Sequence, residues 1–248
     1  MKKRLQLIIL FLSIGVCSFA QSGQGGNWGG GVDEQVFSPG FTFQYLSSEY
    51  KIYKKVDWQR PYPNPDVPGQ FLTDSLKSIS SPLSPGFGLG FIGAFRLGDN
   101  TDFRITPALV FLDRLINYEY ADPEKFRQQK VATTTVEFPV GLKLKSDRRL
   151  NFRAYLLAGG KYSMDIISKK KTDDSGFALT EKFVKNQKNI LSYEVGIGFD
   201  FYFEYFKLSP EFKLSNSINS VLKAEDHPYS SPLDKLYTRN FQFSLYFE

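Results

Sequence analysis

The sequence predicts an all-β fold: an eight-stranded antiparallel transmembrane β-barrel with short periplasmic turns and long extracellular loops. Three observations predict it. Short runs place an apolar residue at every second position with glycine, hydroxyl or charge between, as in Pro85-Gly86-Phe87-Gly88-Leu89-Gly90-Phe91, and because strand side chains alternate between faces, one face is wholly apolar. The opposite face of the later runs carries Arg104, Glu137, Arg153, Glu194, Glu211 and Lys213. A barrel in water buries its apolar face, whereas this distribution suits one whose outside is lipid. Finally, the links between runs alternate between long and short, as in barrels whose turns lie on one side of a membrane and whose loops lie on the other.

Taken from the start, Met1-Lys2-Lys3-Arg4 is basic, residues 5–16 are apolar, and Ser18-Phe19-Ala20 precedes Gln21. That order reads as a secretory signal over residues 1–20, cleaved between Ala20 and Gln21. The apolar run is shorter than the roughly 20 residues of a spanning helix. Val16 stands where lipoprotein processing requires a small residue, so Cys17 is read as part of the signal and not as a lipid anchor. Cys17 is the only cysteine, which leaves the expected mature chain without disulfides, thiol redox chemistry or thiolate metal ligands. Export without disulfides fits a Gram-negative envelope protein. Without Lys2, Lys3 and Arg4 the formal charge falls from +5 to +2, and no nucleic-acid partner is expected. Aromatic residues make up 16% of the chain, yet no apolar stretch after residue 20 is long enough to span as a helix, so any crossing uses strands.

Residues 21–36, with Gly25-Gly26-Asn27-Trp28-Gly29-Gly30-Gly31, are expected to form a flexible periplasmic linker, and residues 37–248 the barrel. The eight strands are placed at residues 39–48, 85–96, 102–112, 133–144, 150–163, 191–203, 206–215 and 237–247, each near the ~9–11 residues of a tilted spanning strand. Long polar segments follow the first, third, fifth and seventh. Tight links at 98–101, 145–149 and 204–205 follow the second, fourth and sixth. Phe41, Phe43, Phe87, Leu89, Phe111, Phe138, Leu156, Val195 and Phe212 belong to the outward set. The inward set holds five cations (Arg104, Arg153, Lys161, Lys207, Lys213) and five anions (Asp102, Glu137, Glu194, Asp200, Glu211). Such a balance in a narrow lumen implies mutual pairing, because an isolated buried ion costs several kcal/mol. Eight strands leave room only for side chains, so the lumen is expected to be plugged. Glycine at 86, 88 and 90 empties one inner face and offers space to a long neighbour such as Arg104, or to a ligand groove. Pro107, Pro139 and Pro210 lie inside strands and each removes a ladder donor, which predicts bulges or locally unpaired backbone there.

Candidates for chemistry are few. His227 lies in Glu225-Asp226-His227-Pro228-Tyr229-Ser230-Ser231, with every partner type of a lipid A-modifying hydrolase close in sequence, but in a loop; a triad is defined by spatial geometry and not by such adjacency. No second histidine exists to build a metal site. No catalytic, cofactor or metal residue is therefore expected, and the chain reads as a non-enzyme. Lys169-Lys170-Lys171 is either a solvated loop tip or a contact for acidic lipopolysaccharide sugars or a protein. Asp57, Trp58 and Tyr62 in the first long loop are either a partner interface or packing onto the rim. The final run, with Phe243, Leu245 and Phe247, looks like the C-terminal signal read by the barrel-insertion machinery, although Glu248 replaces the commoner terminal aromatic.

Ser38-Pro39-Gly40-Phe41-Thr42-Phe43, residues 85–91, Glu137-Phe138-Pro139-Val140-Gly141-Leu142-Lys143, residues 155–162 and Leu208-Ser209-Pro210-Glu211-Phe212-Lys213 resemble the outer-membrane β-barrel domain common in Bacteroidetes. That resemblance implies the fold and an integral outer-membrane location among lipid and lipopolysaccharide. The loops around Asp57-Trp58-Gln59, residues 168–174 and residues 225–230 are similar to those of the PorT family of the type IX secretion system. This narrower resemblance implies a non-enzymatic accessory to protein export, and to gliding motility where present, with other secretion-system proteins as partners. A generic structural or adhesin-like barrel is the alternative, and a lipid A-modifying enzyme using His227 a further one.

Overall fold

A computed structural model of the chain describes residues 33, 35–122, 124–166, 174 and 176–248. The expected signal with its Ala20 and Gln21 junction, most of the glycine linker, and Lys169 to Lys171 lie outside the described residues. The strands are β1 (Phe37–Lys54), β2 (Leu76–Ser80), β3 (Ser84–Gly98), β4 (Thr101–Ile105), β5 (Ala108–Tyr120), β6 (Phe126–Lys145), β7 (Phe152–Asp165), β8 (Lys185–Asn186), β9 (Asn189–Tyr202), β10 (Lys207–Ser217), β11 (Leu222–Lys223) and β12 (Leu233–Phe247), with one 3-10 turn at Leu179–Glu181. Among the described residues there is no α-helix.

The sheet closes. β1 pairs with β3 on one side and β12 on the other, and the ring continues β3, β4 with β5, β6, β7, β9, β10 and back to β12, every pair antiparallel. β4 and β5 are two halves of one ring strand, so the ring has eight. Their register is the same on both sides of the gap: Ile105 faces Gly93 and Val140, and Ala108 faces Gly90 and Glu137. Thr106 and Pro107 fill the gap, with Pro139 opposite Thr106, and two prolines lying diagonally across the strand pair leave too few donors for a ladder. Thr106 N–H still reaches the Pro139 carbonyl at 3.1 Å, and Phe91 N–H the Pro107 carbonyl at 2.9 Å. Around Pro210 the β9–β10 ladder likewise skips from Leu208 to Glu211 without changing register. The prolines thus interrupt pairing but do not create bulges.

Two expectations need correction. The segment after the third strand is not a long loop: β5 runs on to Tyr120 and β6 begins at Phe126, so residues 113–132 form a hairpin joined by five residues. β1 likewise continues to Lys54, and β2 adds to the outer end of β5, with Ile79 facing Tyr118. The cause is a change of polarity along the strands. Through Phe111 the outward positions of β5 are apolar, but beyond it they read Asp113, Leu115, Asn117 and Glu119, three of the four polar, while Ile116, Tyr118 and Tyr120 are buried inside. Lower down the ring is a membrane barrel, and higher up a water-soluble one. The second correction concerns Gly86, Gly88 and Gly90. Leu112, Val110 and Ala108 of β5, with Gln44 of β1, occupy the space beside them, leaving no groove there and no room for Arg104.

Candidate functional site

The short-turn half of the lumen is filled by ion pairs that the strand alternation directs inward. At the rim, Lys145 Nζ lies 2.6 Å from Asp102, Lys143 Nζ 2.7 Å from Asp200, and Lys207 Nζ 3.0 Å from Glu248. Ser209 Oγ donates to Asp200 at 2.6 Å. Arg153, on the same face, turns to the rim, where it and Arg148 approach the Asp33 carboxylate at 3.7 and 3.6 Å, and Tyr202 donates its hydroxyl to Asp33 at 3.1 Å. One layer deeper, Arg104 pairs with Glu211, which also accepts from Tyr155 at 2.9 Å and Tyr246 at 3.3 Å. Lys213 bridges Glu211 and Glu194, and Lys161 bridges Glu194 and Glu137 at 3.3 and 3.0 Å. Tyr155 ties these layers together. Its ring lies over the bare backbone of Gly198, where an added Cβ would sit 2.3 Å away, and Lys143 Nζ stacks 3.9 Å from the ring centre.

Sequence reasoning omitted three lumenal cations. Lys143 shares the strand parity of Glu137, so the alternation alone could have found it; Lys145 has the same parity but lies one residue beyond the expected end of its strand. Arg114 could not be found in that way, because β5 was expected to end before it. It donates to Ser48 at 2.7 Å and to Asn240 at 3.3 Å, where the charged layers give way to the apolar ones.

Above Arg114 the outer end is sealed by hydrocarbon. Tyr50, Ile116, Tyr118, Val184, Val221, Tyr229, Leu233 and Leu236 belong to one buried cluster, against which Ile52 and Trp58 pack. β8 and β11 pair across two loops within it, and Lys185 latches them by pairing with Asp174 and, at 3.1 Å, with Glu225. Burial alone would push these carboxyls up, but bonds from Lys185 and the Phe183 N–H to Asp174, and from Lys223 and then Lys185 to Glu225, outweigh it and hold both below their ordinary values. His227 is fully buried here. Desolvation lowers its pKa against the opposing pull of Glu225 and Asp174. Its Nδ1 accepts from the Tyr229 N–H at 3.3 Å and its Nε2 has no hydrogen-bond partner. The sequence neighbours that suggested a triad are turned elsewhere, Asp226 accepting from Tyr62 at 2.8 Å and Ser230 Oγ from the Glu225 N–H at 3.1 Å.

Asp57, Trp58 and Tyr62 come together at the outer surface, beside a cleft of about 510 Å³ between the first and last long loops. Lys54 Nζ stacks 4.0 Å from the Trp58 ring. Burial, and then the bond to Asp226, push the Tyr62 hydroxyl up to about 12. At the other end of the molecule, Phe243, Leu245 and Phe247 lie on the outward face of β12, with Phe247 stacked on Phe41 at 4.9 Å and Phe243 beside Phe212 at 4.8 Å. Glu248 turns inward to Lys207.

Residues 36–223 match the family model of the outer membrane protein beta-barrel domain. The chain belongs to that family. Its place is therefore the outer membrane, with the short turns facing the periplasm and the sealed cap outside. Solved structures similar in shape include Neisserial surface protein A, at 9% identity and a TM-score of 0.38, covering 86% of this chain and 98% of that one. Another is Ail, the attachment invasion locus protein of Yersinia pestis, in complex with the heparin analogue sucrose octasulfate, at 11% identity and a TM-score of 0.35, covering 86% and 99%. No curated protein matches the chain.

Proposed function

We propose that this barrel is a non-enzymatic accessory component of type IX protein secretion, and of gliding motility where that exists, acting through contacts made by its outer cap. The observation that carries the reading is a lumen filled by ion pairs below and by hydrocarbon above, which leaves the surface as the working part. The loop resemblance to the PorT family supplies the pathway, and the partners proposed are other secretion-system proteins, besides lipid, lipopolysaccharide and the insertion machinery. The outer-loop surface around the half-buried Trp58 and Tyr62 equally favours a generic adhesin-like barrel. A lipid A-modifying enzyme using His227 is disfavoured by the missing hydroxyl–imidazole bond.

The test is cargo secretion in two variants. The Leu76 N–H donates to the Gln59 carbonyl at 3.1 Å, closing the base of the first loop, so residues 61–72 can be replaced by a short Gly/Ser turn with the barrel intact. Secretion is expected to be lost in that variant and kept in His227→Ala at normal protein levels. Normal secretion after the loop replacement would refute the proposed contact surface, and its loss in His227→Ala would favour the enzyme.

A further inference from the structure

We infer that the cleft between the first and last outer loops is a binding site for a neutral oligosaccharide. The inference goes beyond the secretion reading and does not depend on it. It starts from the walls. Tyr62 presents a half-buried ring and Phe71 an exposed one, beside Trp58, whose ring already carries Lys54 Nζ at 4.0 Å, while Asp57, Arg60 and Asp226 bring two carboxylates and a guanidinium to the same space. A pyranose ring has the same division, with an apolar C–H face that packs on an aromatic ring and equatorial hydroxyls that donate to carboxylates and accept from a guanidinium. A volume of about 510 Å³ is in the range of small-molecule sites and holds a short oligosaccharide.

Other occupants fit the walls less well. An acyl chain would desolvate Asp57, Arg60 and Asp226 without giving them partners. A phosphate or sulfate would meet the Asp57 and Asp226 carboxylates, which Arg60 and the Lys54 ammonium over Trp58 offset but do not outnumber. A peptide adding as a strand needs a run of free backbone donors, and residues 61–65 of the loop offer none. Pro61, Pro63 and Pro65 have no N–H, Tyr62 N–H is taken by Thr73 Oγ1 at 3.0 Å, Asn64 N–H by the Gln70 carbonyl at 2.9 Å, and Leu72 N–H by the Tyr62 carbonyl at 2.8 Å. Those same bonds preform the cleft. The ridge turns at Gly69, whose φ of +87° a side chain would oppose, and the Tyr62–Asp226 bond pins it to the last loop. A preformed site loses little conformational entropy when it binds.

The experiment uses the purified full barrel in a detergent without a sugar headgroup. Trp28→Phe leaves Trp58 as the sole tryptophan of the two, and its fluorescence is followed during titration with neutral gluco-, manno- and galacto-oligosaccharides, with calorimetry in parallel. At least one should give a saturable shift, and Phe71→Ala should weaken it by at least about tenfold while heat-modifiable gel mobility stays unchanged. Three results would overturn the proposal: no saturable shift with any sugar at millimolar concentration, tighter binding of a sulfated or phosphorylated sugar than of its neutral parent, or saturation by a proline-rich peptide in place of sugar. Because binding to the purified barrel is the readout, failure of the secretion reading leaves this result unaffected.

Discussion

Replacing Arg104 with Met removes the positive partner of Glu211 at the centre of the lumen, where the two side chains are 2% and 0% exposed. Breaking a buried pair by removing one member typically costs ~3–5 kcal/mol, because a charge is left without compensation. Here the cost is reduced, since Tyr155 and Tyr246 still donate to Glu211 and Lys213 stands 3.6 Å from it. Lys213 is shared with Glu194, however, so it cannot neutralise both, and about 2–4 kcal/mol is expected. The double variant Arg104→Met/Glu211→Gln removes both charges and keeps an acceptor for the tyrosines. It should lie within about 1.5 kcal/mol of the parent, as paired charges replaced together often do. Urea titration in micelles, read by heat-modifiable mobility, measures all three proteins. A single variant costing under about 1 kcal/mol, or a double variant no better than the single, would show that the lumenal charges are not coupled as described.

Leu156 faces outward at mid-strand and is 57% exposed to what surrounds the barrel; Leu156→Arg should cost ~2–4 kcal/mol if that surrounding is lipid, and a tolerated arginine in the same urea assay would mean the faces are reversed. Gly198→Val places carbon where the Tyr155 ring lies and should cost ~1–3 kcal/mol by overpacking, with Tyr155→Ala restoring part of the loss; an unaffected Gly198→Val would remove Tyr155 from its central role. The cap should loosen in acid. His227 has a lowered pKa when folded, so below about 6.5 the opened cap binds a proton the closed one refuses, and closure weakens by at most about 1.4 kcal/mol per pH unit. Asp174 and Glu225 also have lowered folded values, so their contribution holds above about pH 4 and is lost as pH falls through those values. Hydrogen exchange in residues 183–187 should report both steps, and His227→Gln should abolish only the first; exchange independent of pH between 7 and 5 after intrinsic-rate correction would refute the histidine step.

The ring itself was legible because two signals coincide in its lower half: apolar residues at outward parity and charges at inward parity. From Phe41 to Tyr45 and from Tyr193 to Phe201 every second residue is apolar and partly or largely exposed, so parity alone assigned their faces. The upper half was misread because its code is reversed. Residues 113–120 also alternate, but with Ile116, Tyr118 and Tyr120 inside, and a search for apolar-out strands stops where apolar-in ones begin. The packing of the cap was beyond single-sequence reading for a different reason. Val184, Val221 and Leu233 meet across segments far apart in sequence, and nothing in their local spacing marks them as neighbours. The same holds for the pairing of Tyr62 with Asp226, and so for the cleft; only the aromatic and proline content of residues 57–65 hinted that this loop makes contacts.

The reversal of polarity also bears on how the barrel works. A route through the lumen would have to breach two seals of opposite chemistry. Parting Arg104 from Glu211, or Lys161 from Glu194, without replacing each partner leaves ions in a confined space at several kcal/mol apiece. Opening the cap exposes Tyr118, Val221, Leu233 and Leu236, none more than 2% exposed, at about 1.5–3 kcal/mol for each aliphatic side chain moved into water. No single ligand chemistry relieves both penalties, since what solvates the charges does not shelter the hydrocarbon. Each seal therefore backs the other, and a change confined to one, such as the acid loosening of the cap, is expected to alter the outer surface without opening a passage. Ion conductance in planar bilayers at pH 5 should accordingly match that at pH 7 even where hydrogen exchange shows the cap loosened, and a pH-gated current would refute the two-seal argument.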